Sequence, residues 1–205
     1  VAENRGARTL PSETVIALAA MSILFILVFM LAAAVVALYN RLIRSRNRVD
    51  TAWSDIDVQL QRRHDLIPNL VKAIDQYAGY ERATLEAVTE LRAEAMRVTG
   101  IDARGKAEEA LSTGVQRLIV LAENYPDLKA SENFLNLQNQ LVETENYLQF
   151  ARRYYNGSVR DYNTMTETVP SNIVASSFGF DTRSFFQKSS DDVANVPLVG
   201  LGELE

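Results

Sequence analysis

His64 is the only histidine in the chain, and with Arg62, Arg63 and Asp65 it forms a dense group of side chains able to do chemistry. An imidazole works as a base or a metal ligand only beside a partner that orients it, and helical metal bundles supply that partner through Glu-x-x-His pairs on facing helices. No such pair occurs here. Serine and threonine lack the Gly-x-Ser-x-Gly elbow of a nucleophile, and no phosphate-cradling glycine pattern is present. Cysteine is absent, which removes disulfides, zinc thiolates and iron–sulfur chemistry. Asp50, Asp55, Asp57, Glu108 and Glu109 lack metal-loop spacing and read as a solvated face, and His64 reads as a surface side chain. The expectation is a protein that is not an enzyme, with no catalytic residue, cofactor or metal.

Arg63 is the more informative charge. Val49, Trp53, Ile56, Leu60, Ile67, Leu70, Ile74 and Tyr77 follow one another at alternating spacings of four and three, and Arg63 fills the one gap in that series. A guanidinium on an apolar seam needs an acceptor, because leaving it unpaired costs several kcal/mol. Glu143, Glu145 and Asn146, with Thr144 between them, are the acceptors expected from the middle of the last long helix. Together with Arg63 they would form a buried polar layer that fixes register. The rival reading is an anion or lipid-headgroup site at Arg63.

The elements that must position these groups are helical. The run Val15 to Leu38 is about 24 residues long and broken only by Ser22, enough to cross a bilayer with some tilt. It is too long for the apolar region of a cleaved signal peptide, the rival reading. Pro11-Ser12-Glu13 starts the helix, with Ser12 as the cap. Arg41, Arg44, Arg46 and Arg48 follow the span, where they read as membrane-interface residues and place the following domain in the cytoplasm and the amino terminus outside. From Ser12 to Ile67 there is neither glycine nor proline, so span and seam read as one rod of roughly 84 Å, with a kink at Pro68.

Three further amphipathic helices are predicted, at about Glu81 to Val98, Lys106 to Asn124 and Ser131 to Thr168. The last carries a seam of Phe134, Leu137, Leu141, Thr144, Leu148, Ala151, Tyr155, Ser158, Tyr162, Met165 and Val169. The fold class is therefore all-α: one amino-terminal transmembrane helix continuous with an antiparallel bundle of about four helices. The organisation is a tail (1–12), a span (13–39), the bundle (40–170) and a carboxyl-terminal aromatic-rich segment (171–205). In that segment Phe178, Phe180, Phe185 and Phe186 are the candidate interface, packing on the bundle or on a neighbouring subunit. A formal net charge of -5 argues against nucleic acid as a partner.

Several ordered blocks resemble the LemA family. They are Tyr39-Asn40-Arg41-Leu42-Ile43, Arg46-Asn47-Arg48-Val49-Asp50, Ala52-Trp53-Ser54-Asp55-Ile56-Asp57-Val58-Gln59-Leu60 and Arg62-Arg63-His64-Asp65-Leu66-Ile67-Pro68-Asn69-Leu70-Val71. Tyr125-Pro126-Asp127-Leu128-Lys129-Ala130, Glu143-Thr144-Glu145-Asn146, Ala151-Arg152-Arg153-Tyr154-Tyr155-Asn156 and Phe178-Gly179-Phe180 complete the set. The resemblance implies a bacterial inner (cytoplasmic) membrane protein with one amino-terminal span and a cytoplasmic helical bundle. It also implies, as another setting, an organelle membrane derived from the inner one, because one branch is linked with magnetosome membranes. Other members lie near genes for a membrane zinc protease. It supplies no catalytic residue.

Two functions follow as expectations. The first is a non-enzymatic membrane scaffold whose partners are the lipid bilayer and further copies of itself, a homo-oligomer that organises or shapes the membrane. The second is an adaptor that presents its bundle to a membrane protein such as a protease or signalling enzyme.

Overall fold

The computed structural model describes residues 12–186. The expected amino-terminal tail, the side-chain cap at Ser12 and the chain after Phe186 lie outside the described residues. The helices are α1 (Ser12–Ala78), α2 (Arg82–Arg97), α3 (Ile101–Ala122), α4 (Pro126–Lys129), α5 (Glu132–Glu167) and α6 (Ser171–Phe178), and there is no strand among the described residues. Within that range the chain forms two compact units, residues 12–44 with 165–181, and residues 45–164 with 182–186.

The first unit contains the apolar part of α1 and the short α6. From Ile16 to Leu31 the large apolar side chains of α1 stand open, Phe25 at 73 % exposure among them, so this stretch is long and apolar enough to cross a membrane and its side chains are not used in a protein core. Tyr39, further along the same helix, meets Phe178 and Phe180 edge-on at 5.0 and 5.6 Å between ring centres. Gly179 turns the chain between those two phenylalanines at φ 69°, a left-handed cap that glycine adopts without strain, and the Phe180 amide donates to Ala175 O at 2.9 Å.

The second unit is the bundle. Its core gathers Ile67, Leu70 and Ile74 of α1, Leu85 and Val88 of α2, Leu111 and Leu118 of α3, Leu128 of α4 and Phe134, Leu137 and Leu141 of α5. Each such side chain contributes about 1.5–3 kcal/mol when fully buried. Pro68 stands inside α1 without ending it. Tyr77 is exposed and Ala78 buried, so the α1 seam drifts by one residue at its end. Gly114 lets α2 and α3 approach: a β-carbon there would lie 2.9 Å from Leu91 Cδ1 and 3.2 Å from Val88 Cγ2. α1 and α5 run antiparallel, since Arg62 meets Glu143 while Trp53, earlier on α1, meets Tyr155, later on α5.

α3 starts at Ile101, five residues before the expected Lys106, because Gly100 at φ 95° is the break and Gly105 is carried inside the helix. After the bundle helices, residues 182–186 lie along α5 as a strap. Asn163 receives the Arg183 amide at 2.8 Å and donates to its carbonyl at 2.9 Å. Asn156, one heptad earlier, does the same for Phe186 at 2.9 and 3.0 Å. Two side-chain amides thus replace the backbone ladder that an extended segment otherwise lacks.

Candidate functional site

The charged side chains of the bundle converge at its middle. Arg63 is 4 % exposed on the α1 seam; its NH2 donates to Ser112 Oγ at 2.6 Å, and its NH1 lies 3.7 Å from both Glu108 Oε2 and Glu145 Oε2. His64, 2 % exposed, meets Glu108 Oε1 through Nε2 at 2.8 Å, and Arg92 Nε of α2 donates to the His64 carbonyl at 2.7 Å. Glu108 is 0 % exposed and is shared by Arg63 and His64. Two residues of the expected solvated surface, His64 and Glu108, are therefore core residues. The cause is geometric: His64 follows the seam residue Arg63 by one position and turns toward α3, where Glu108 lies on the buried face with Leu111, Gly114, Val115, Leu118 and Ala122.

The acceptors expected from α5 separate. Glu145 reaches Arg63, but Glu143 sits at the surface and pairs with Arg62 at 3.0 Å, and Asn146 is exposed, so neither belongs to the buried layer. Thr144 is buried, yet its hydroxyl donates to Gln140 O at 2.7 Å, one turn back on its own helix. Arg152 adds a second cation: burial holds its guanidinium below the ordinary value, Glu145 opposes that and Arg63 reinforces it. Its guanidinium also covers the Phe186 ring at 5.0 Å. With carboxylates already flanking Arg63, a further anion there would lie against Glu108 and Glu145, and the anion-site reading of Arg63 loses its footing.

The expected aromatic interface divides in the same way. Phe180 and Phe186 are buried within the chain, Phe186 against Trp53 at 5.7 Å, whereas Phe178 and Phe185 keep about half of their surface open. Phe180 and Phe186 therefore pack within the chain, one of the two alternatives expected for this segment. Trp53 itself touches Tyr155 edge-on at 5.4 Å, and Tyr155 donates its hydroxyl to Ser184 O at 2.9 Å. Burial raises the Tyr155 phenol above its ordinary value, with nearby Arg183 working the other way. Arg41, Arg44 and Arg48 are exposed on α1 and Arg46 is half-buried.

Sequence reasoning missed two features. One is a cleft of about 490 Å³ beside Trp53, at the start of α3. The other is an exposed aromatic stripe on α5, formed by Tyr147, Phe150 and Tyr154, whose spacings of three and four put them on one face away from the core. The signal for the stripe was present as a second alternating series on the same helix.

The sequence model of the LemA family matches residues 52–200. Two relatives, magnetosome proteins MamQ 1 and MamQ 2 of Paramagnetospirillum magneticum, are each 24% identical over 207 residues, covering 88% of this chain and 75% of theirs. Protein LemA of Metamycoplasma hominis is 26% identical over 161 residues, covering 77% of this chain and 72% of its own.

Proposed function

The chain belongs to the LemA family, and from that membership we propose that it is a membrane-anchored scaffold that performs no chemistry of its own and assembles with further copies of itself. The observation that carries the reading is α1. A single helix from Ser12 to Ala78 holds both an exposed apolar stretch fit for lipid and the first wall of the bundle. The bundle's buried charges are engaged with one another: His64 holds Glu108, and Arg63 holds Ser112 beneath two carboxylates. Groups spent in this way set register and are not open to a substrate.

The four arginines after the span favour a cytoplasmic bundle and an outer amino terminus in a bacterial inner membrane, or in an organelle membrane derived from it, by the positive-inside rule. The MamQ relatives, named as magnetosome proteins, support the organelle setting. Lateral assembly draws support from the open stripe Tyr147, Phe150 and Tyr154. A second reading is an adaptor that offers the same open stripe to another membrane protein such as a protease. Sizing of the full chain in detergent separates the two. A mass that is a multiple of the protomer and falls on dilution supports the scaffold, and a monomer at every concentration refutes it.

A further inference from the structure

The unit built from residues 12–44 and 165–181 holds a second apolar feature beside the apolar part of α1. Every side chain of α1 from Ile16 to Ala34 is exposed, and cover begins only at Val35, which is half-buried and followed by Leu38 and Tyr39 in the same state. At about 1.5 Å per residue the uncovered stretch is about 28 Å long, close to the roughly 30 Å of a bilayer's hydrocarbon layer. Tyr39 stands about 7.5 Å beyond Ala34 along the helix, at the level of the headgroup layer.

What lies against Tyr39 is the end of α6. Phe178 and Phe180 meet the Tyr39 ring edge-on at 5.0 and 5.6 Å. The chain from Thr168 to Phe180 has no charged residue, although Glu167 and Asp181 bound it on either side. Ser171, Val174 and Ala175 form the buried face of α6, and Ile173, Ser176 and Ser177 the opposite one, with Phe178 half open at its edge. The hydroxyls of Ser176 and Ser177 both donate to the Ile173 carbonyl, at 3.1 and 2.7 Å, so neither carries an unmet donor into an apolar medium. An open isoleucine and phenylalanine on an uncharged helix are unfavourable in water and favourable at a lipid boundary, where aromatic rings also collect.

We propose that α6 is an interfacial foot, whose open face, centred on Ile173 and edged by Phe178, enters the bilayer boundary beside the span. The inference rests on the reading of α1 as a membrane anchor. The occupant is lipid because α6 and the apolar part of α1 belong to one unit and touch at Tyr39, where that anchor leaves the hydrocarbon. Ile173 is about 7.5 Å along α6 from Phe178, so the boundary is in its reach without a further molecule. Two contacts with the same bilayer limit how far α1 can tilt or turn.

The chain has no cysteine, so a single introduced one takes a nitroxide label at a chosen site. Ile26→Cys, Ile173→Cys, Ser176→Cys and Val58→Cys are each made in the full chain and placed in phosphatidylcholine nanodiscs, one chain per disc and then several. Collision of each label is measured with oxygen, which concentrates in hydrocarbon, and with a neutral nickel chelate, which stays in water. Ile173 and Val58 are equally open, at 62 and 63 %, so Val58 of the bundle unit is the reference for an exposed apolar side chain away from the foot. With one chain per disc the oxygen-to-nickel ratio at Ile173 and Ser176 should exceed that at Val58 at least about fivefold, as for a face sunk about 5–10 Å into the boundary. A ratio at Ile173 equal to that at Val58, with Ile26 high, overturns the foot and leaves the anchor standing. A low ratio at Ile26 overturns the anchor reading, and the foot with it. Exclusion of both reagents from Ile173 means that protein covers the face, a second copy where it occurs only with several chains per disc, and likewise overturns the proposal. Ile173 and Ser176 are exposed, so their replacement empties no core, and far-ultraviolet dichroism unchanged by labelling excludes misfolding as the cause.

Discussion

Replacing Arg63 by methionine tests the buried charge cluster most sharply. The substitution keeps a long side chain on the seam but removes the cation whose NH1 lies 3.7 Å from two carboxylates. Glu145 is partly exposed and can hydrate, so most of the damage falls on Glu108, which has no access to solvent and keeps only His64 at 2.8 Å. Breaking a buried pair by removing one member costs about 3–5 kcal/mol, and the remaining His64 contact places this case near the lower end. For a chain of this size that corresponds to a fall in Tm of about 6–12 °C. Adding Glu108→Leu should recover part of the loss, since the unpaired carboxylate is removed while His64 gives up its contact with Glu108. Urea unfolding of the full chain in detergent, followed by Trp53 fluorescence, measures all corners of the cycle. If Arg63→Met costs less than about 0.5 kcal/mol, or if the double substitution is as damaging as the sum of the singles, the cluster is not an interacting unit.

Three other outcomes follow from local packing. Phe186→Ala removes a buried ring from Trp53 and Arg152 and should cost about 3–5 kcal/mol, with a red shift of Trp53 emission; an unchanged spectrum would mean that the strap does not cover Trp53. Gly114→Val drives side-chain atoms into Leu91 and Val88 and should destabilise by about 1–3 kcal/mol in the same urea assay. The Tyr155 phenol holds its proton above the ordinary 10.0, so the folded chain binds more protons than the unfolded one above about pH 10 and stability falls as pH rises through the folded value. Tyr155→Phe should flatten that slope between pH 9 and 11, and an unaltered slope would assign it to other groups. The same substitution loses the bond to Ser184 O, for a cost of about 0.5–1.5 kcal/mol at neutral pH.

The helices were legible because their information is periodic. The α1 series with Arg63 in its gap and the α5 series from Phe134 to Tyr162 are both seams in the structure, since alternation of three and four survives whatever packs against it. Choosing the partner of Arg63 needed the facing helix as well, where α3 buries Glu108 one turn before Leu111. Glu108 was hidden by its neighbour Glu109, because two adjacent carboxylates look like a solvated pair until the helix phase is known. A buried arginine does carry a usable signal, the demand for an acid on an opposing seam, and Leu111, Val115, Leu118 and Ala122 extended backward by three residues lead to Glu108.

Beyond Pro170 periodicity ends and local pattern stops being informative. Which phenylalanines fold inward depends on Asn156 and Asn163, whose hydrogen bonds to Phe186 and Arg183 span some 20 to 30 residues of sequence. Their i, i+7 spacing on α5 is visible in the sequence, but it has meaning only once an extended segment lies alongside. The Trp53 cleft is hidden for a related reason, since its walls come from α1, the end of α2 and its link to α3, α3 itself, α5 and the strap.

Crosslinking in native membranes, with the linked species identified by mass, tests the central claim of a self-assembling membrane scaffold most directly. Links between copies of this chain are expected, at bundle residues of α5 as well as along the apolar part of α1. Links to a foreign protein with none between copies would contradict it and leave the adaptor reading standing.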